Sequence, residues 1–239
     1  MYKEISTSDK PNWVEKLLSS YKSNPSIRFL VNLFLVPYGS ALDASVVCIF
    51  ENIREDRYRK FFDQCSKENV IITEEQKQNV DFIYNYYATL KAVNHTRRHE
   101  KIRLFVRLFT NYAKGETVKD PDQYEDMLST LDDLSFREFR VLTILYTFEN
   151  RNLPIKDGQS EDAWVSIFWD DFEKKVEDEI GIPIDELQGF LNRLNRTGLY
   201  QTISEPLWNI TALKGITTPN FKRFISALGI SETNIKQKK

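Results

Sequence analysis

Along most of this chain apolar residues recur every three or four positions, the spacing of helices with one buried face. Trp13, Leu17, Leu18 and Tyr21 set such a stripe over residues 11–24, with Pro11 at its start and Pro25 closing it. A dense apolar run over 26–36 follows and is broken by Pro37, Tyr38 and Gly39. Ser40 is then expected to cap a long helix with Leu42, Val46, Ile49 and Ile53 on one face, continuing to Phe61, Phe62 and Cys65. Thr73 followed by Gln76 is a capping box, in which each side chain satisfies a backbone N–H the helix leaves free. It predicts a helical segment from Glu74 to about Ala113, broken across the polar stretch 94–100. Val80, Ile83, Tyr84, Tyr87 and Leu90 form its first stripe, and Ile102, Phe105, Val106, Phe109 and Tyr112 its second. Gly115 is the natural stop.

Beyond it, Asp120 and Pro121 open a helix with Tyr124, Met127, Leu128 and Leu131 inward. Ser135 with Glu138 is a second capping box, opening a helix with Phe139, Leu142, Ile144, Leu145 and Phe148 inward. After a loop over 150–160, Trp164, Ile167, Phe168, Phe172, Val176 and Ile180 trace one acidic helix ending near Gly181. A helix over 183–197, with Leu187, Phe190, Leu191 and Leu194 inward, stops at Gly198. Leu199–Ile203 reads as a strand and Leu207–Leu213 as its return. Thr218 and Pro219 start a last helix with Phe221, Phe224, Ile225 and Leu228 inward. The pattern therefore predicts a mostly α protein. An N-terminal helical bundle (1–115) is joined to a helical hairpin and a winged-helix-like unit containing a small β-hairpin (116–239).

Composition supports this reading. Eight glycines and eight prolines in 239 residues are too few for an all-β chain rich in tight turns, or for glycine-rich phosphate loops. Cys48 and Cys65 lack paired or metal-binding spacing and read as reduced, core-facing thiols. The polar N-terminus shows no secretory signal, so a cytoplasmic location is expected. A net charge of −2 hides a strong asymmetry. Residues 1–115 carry 18 Lys and Arg against 13 Asp and Glu, residues 116–182 carry 7 against 18, and residues 183–239 carry 8 against 4. An acidic centre between basic flanks points to docking between opposite fields, or to a nucleic-acid surface at one end.

Five groups of residues are candidates for chemistry. His95 and His99 have the four-residue spacing that puts two imidazoles on one helical face, but no further ligand completes a metal site and Arg97, Arg98 and Lys101 crowd it. Arg97, Arg98, Lys101, Arg103 and Arg107 form a basic surface able to grip phosphates, although they spread over more than one face. In a winged-helix reading the helix over 183–197 is the recognition helix, with Gln188, Asn192, Arg193, Asn195 and Arg196 outward. Those side-chain types suit base edges and phosphates, and equally a protein surface. Residues 27–50 approach the length of a membrane span, but Asn32, Asp43 and the Pro37–Gly39 break divide them, so a buried pair of helices is preferred to a membrane-active segment. The acids between Asp120 and Glu179 read as a solvated face. No nucleophile, base and orienting group come together, so no enzyme activity, cofactor or metal is expected.

The segments Lys101–Ala113, Met127–Glu138, Leu194–Tyr200 and Ile216–Phe224, taken in order, resemble the Abi-alpha (abortive-infection alpha) type of bacterial helical proteins over roughly residues 100–228. Asn220 stands where that pattern has glycine opening the last helix. The resemblance implies a bacterial setting linked to phage defence and carries over no catalytic residue. The expected function is a non-enzymatic interaction or regulatory protein whose first partner is another protein. A DNA-binding regulator is the alternative and a membrane-active effector the third reading, with self-association left open.

Overall fold

The computed structural model describes residues 16, 19–21, 24–33, 44–115, 117–152, 160–203 and 214–230. These residues are mostly helical, with one small antiparallel hairpin near the C-terminus. The chain divides into two compact units, Met1–Leu128 and Ser129–Lys239, with the boundary inside a helix.

The first unit holds α1 (Pro25–Leu33), α2 (Ala44–Lys67), α3 (Glu74–Gln78), α4 (Val80–His95), α5 (His99–Lys114) and the start of α6 (Pro121–Asp133). Most of the helix expected over 11–24 lies outside the described residues, although residues 16, 19 and 20 are helical. Pro25 is the first residue of α1, where its missing N–H costs nothing, and Asn24 Oδ1 accepts from the Ile27 N–H at 3.2 Å.

The Thr73–Gln76 capping box forms, with bonds of 3.2 and 2.9 Å, but opens only the short α3. Asn79 then turns to an extended ψ of 119° and caps α4 through the Phe82 N–H at 2.9 Å. A second break at Thr96 and Arg98, both extended, separates α4 from α5. Gly115 ends α5 at φ 65°, the left-handed conformation that favours glycine.

Phe109 is the centre of this core, with ring centroids 5.7 Å from both Phe82 and Tyr86 and 6.2 Å from Phe61. Each such pair adds about 1 kcal/mol beyond the area it buries. The α5 stripe is the expected one, but α4 is rotated from it. Val80 and Tyr84 are exposed, whereas Phe82, Asn85, Tyr86, Thr89, Leu90 and Val93 are buried. The buried polar pair on α4 explains the shift. Thr89 donates to the Asn85 carbonyl at 2.7 Å, so the Tyr124 hydroxyl donates to Thr89 at 2.5 Å. Asn85 Nδ2 in turn reaches the Tyr112 hydroxyl at 3.2 Å and the Pro121 carbonyl at 3.3 Å. These bonds let two polar residues sit in the core.

The second unit holds the end of α6, α7 (Phe136–Arg151), α8 (Glu161–Ser166), α9 (Trp169–Ile180), α10 (Ile184–Asn195), β1 (Tyr200–Thr202), β2 (Gly215–Thr217) and α11 (Pro219–Ala227). The Ser135–Glu138 capping box opens α7 as expected. The single acidic helix expected over 164–180 is instead two. Phe168, at ψ 0°, breaks it, and Ile167 points to solvent while Val165, Phe168 and Trp169 are buried. β1 pairs with β2 in the register Tyr200↔Thr217, Gln201↔Ile216, Thr202↔Gly215. The return strand expected at Leu207–Leu213 lies outside the described residues, and the strand that pairs is Gly215–Thr217. Thr218 caps α11, with Pro219 at its first position.

Candidate interaction face on helix α10

The second unit places α10 through three adjoining elements. Gly181, Ile182 and Pro183 join α9 to α10, and Gly181 takes φ 68° to end α9. Two arginines of α7 brace the end of α9: Arg140 donates to the Glu179 carbonyl at 3.2 Å and Arg137 to the Gly181 carbonyl at 3.3 Å. Cations at a helix C-terminus are favourable because the last carbonyls there carry partial negative charge. On its inner face α10 buries Leu187, Phe190, Leu191 and Leu194, and β1 packs beside it.

A buried carboxylate holds the hairpin to α7. Glu149 is 7 % exposed and accepts from the Thr217 N–H at 2.6 Å and from the Thr217 hydroxyl. Burial pushes its pKa up to about 7, against the opposing pull of the two Thr217 hydrogen bonds and the Lys222 charge. Sequence reading missed this residue. Its one signal was position, four residues after Leu145 on the stripe that faces the core.

The outward positions of α10 are those expected. Asn192, Arg193, Asn195 and Arg196 are exposed, and Gln188 is half-buried, with its amide 3.3 Å from Asn192 Oδ1. The Arg193 guanidinium lies over the Phe190 ring, 4.9 Å from its centroid. Around this face the charge is mixed. Arg193 and Arg196 line a cleft of about 400 Å³ whose other walls carry Ser129, Thr130, Asp133, Glu138 and Thr197. A second cleft sets Arg193 and Arg137 beside Glu186. Asp185 and Glu186 occupy the first turn of α10, where acids suit the helix N-terminus, and stand exposed.

The basic residues of the first unit lie on more than one face, as their spacing implies. Arg97, Arg98 and Arg103 are exposed, but Lys101 is buried, its Nζ 5.6 Å from the Phe105 ring centroid. Arg107 is half-buried and faces Glu68 at 3.9 Å. A lysine with a long apolar stem can run along a buried face, which spacing alone does not reveal. His95 and His99 fall on different helices, because the chain turns between α4 and α5. The His99 ring nitrogens lie 3.0 and 3.2 Å from Lys60 Nζ. Among the described residues no group of three His, Cys, Asp or Glu gathers to hold a metal, and no helix is long and apolar enough to cross a membrane. Of residues 27–50, Ile27, Leu30 and Val31 are buried in α1, and 34–43 lie outside the described residues. No protein-family model, curated protein or solved structure matches this chain.

Proposed function

We propose that the chain is a non-enzymatic regulatory protein that engages another protein through the exposed face of α10. The order of α9 and α10 followed by the β1–β2 hairpin supports reading this part of the chain as a winged-helix-like unit. Such a unit presents its second helix outward, and Gln188, Asn192, Arg193, Asn195 and Arg196 are the contacts. The observation that carries a protein partner, rather than duplex DNA, is the cleft whose lining Arg193 and Arg196 share with Asp133 and Glu138. A recognition surface for a polyanion gains affinity from an uninterrupted positive field. Carboxylates within the same cleft weaken that field, whereas a protein partner can answer both signs. The resemblance of residues 100–228 to Abi-alpha proteins supplies the biological setting, bacterial phage defence.

Photo-crosslinking inside bacterial cells tests the reading. A photoreactive residue at Asn195 is expected to yield a discrete protein adduct that disappears when Arg193→Ala and Arg196→Ala are added. An adduct removed by nuclease, or one indifferent to the two substitutions, overturns it.

A further inference from the structure

We propose that the cleft between α2 and the α4–α5 turn binds the phosphate group of a small phosphate-bearing ligand, with Arg54, Arg57 and His95 in contact and Arg97 adding charge. Arg54 and Arg57 are three apart along α2, so they are neighbours on its surface. Opposite them, α4 ends and α5 begins. Ile53, Arg54, Arg57, Asn94 and His95 enclose a cleft of about 340 Å³ there. Arg57 is half-buried and donates through Nη1 to the Asn94 carbonyl, which pins its guanidinium into the wall while leaving other N–H donors free to bind.

Positive charges converge at this point, and no acid lines the cleft. Burial first, then the neighbouring Arg97 charge, lowers the Arg57 pKa below its usual range, against the pull of Asp56 and Tyr58. Asp56 is itself taken by Lys60 at 2.7 Å, and Glu55 by Arg59. Arg54 and Arg97 form no ion pair among the described residues. The α5 N-terminus starts at the same turn, and its N-cap residue Arg98 makes no side-chain cap hydrogen bond to the first-turn N–H groups. An anion seated here relieves repulsion that the folded chain otherwise carries.

Two observations favour a small ligand over a nucleic-acid strand. The cleft has the size of small-molecule sites, and Ile53 gives it an apolar wall. A strand needs a continuous basic track, and along α5 that track is broken where Lys101 is buried and Arg107 faces Glu68.

Isothermal titration of the full chain with inorganic pyrophosphate and with AMP, against KCl at matched ionic strength, tests the site. Saturable binding is expected for both phosphates and none for adenosine. Arg54→Ala is expected to weaken it about tenfold, the loss of one charge-assisted contact. Arg97→Ala, at an exposed position, weakens it severalfold, and Arg57→Lys keeps the charge if Arg57→Ala unfolds. Arg193→Ala with Arg196→Ala leaves binding unchanged. The proposal is overturned if pyrophosphate does no more than KCl. Binding that survives Arg54→Ala with Arg97→Ala, that is lost with the α10 pair, or that tightens steadily with the length of a single-stranded oligonucleotide also overturns it.

Discussion

Glu149 shows how one side chain ties the second unit together. Its carboxyl group holds both the N–H and the hydroxyl of Thr217, so it fixes β2 and the start of α11 against α7. The pH dependence follows from its raised pKa. In the unfolded chain the carboxyl ionises at about 4.5, and in the folded one at about 7. Stability from this group is full below the lower value, falls as pH rises between the two, and is level above the higher one. At about 1.4 kcal/mol per tenfold, the fall amounts to about 3 kcal/mol. Glu149→Gln keeps an acceptor for the Thr217 N–H and a donor for its hydroxyl without any charge to bury. Urea unfolding should therefore show Glu149→Gln gaining on the native chain between pH 5 and pH 8, and an equal difference at both pH values would refute the assignment. Glu149→Ala leaves the buried Thr217 N–H without its acceptor and should cost about 1–3 kcal/mol at pH 5. Residues of this kind escape sequence reading because they belong to the buried face by position and to the surface by type. Asn85, Thr89 and Lys101 are the same case in the first unit. Assigning polar residues to the outside put Val80 and Tyr84 inside α4 and Lys101 outside α5, and hydrogen bonding and a long apolar stem reverse each.

Among the elements, the ends of helices were the most legible. Ser135 with Glu138, Thr73 with Gln76, Thr218 with Pro219, and Gly115 and Gly181 all act as their chemistry requires, since a cap is decided by residues within one turn of it. Breaks without a proline or glycine were harder to see. Asn79 and Phe168 each interrupt an apolar pattern that runs straight through them. Ser135→Ala should cost about 1 kcal/mol, read as a lowered midpoint in urea with an unchanged slope. The hairpin has a sharper constraint. A Cβ at Gly215 would lie 2.3 Å from the Tyr200 ring and 2.5 Å from the Gln201 carbonyl oxygen, and the backbone oxygen has little room to withdraw. Gly215→Ala is therefore expected to loosen the β1–β2 pairing, seen as faster amide exchange at Gln201 and Ile203, with exchange in α4 and α5 unchanged. Slow exchange at those hairpin amides would contradict the close approach.

At the scale of the whole chain, charge is the property that reaches furthest toward function, and the sequence makes only half of it visible. The acidic middle and basic flanks can be counted along the sequence, but which cations lie free depends on local folding. The chain turn between α4 and α5 separates His95 from His99, while α2, distant in sequence, supplies Arg54 and Arg57 to the cleft beside that turn. On α10 the expected outward residues are outward, but the acids that share their cleft come from the end of α6 and the first turn of α7, which no local pattern reveals. Those acids separate the two leading readings of the second unit. The most direct test is a fluorescence-anisotropy titration of the purified chain against duplex DNA at low and at moderate salt. An α10 face of mixed charge should give no saturable binding even at low salt. Binding that weakens steeply as salt rises, and that is lost with Arg193→Ala and Arg196→Ala, would mean phosphate contacts dominate and that α10 reads DNA.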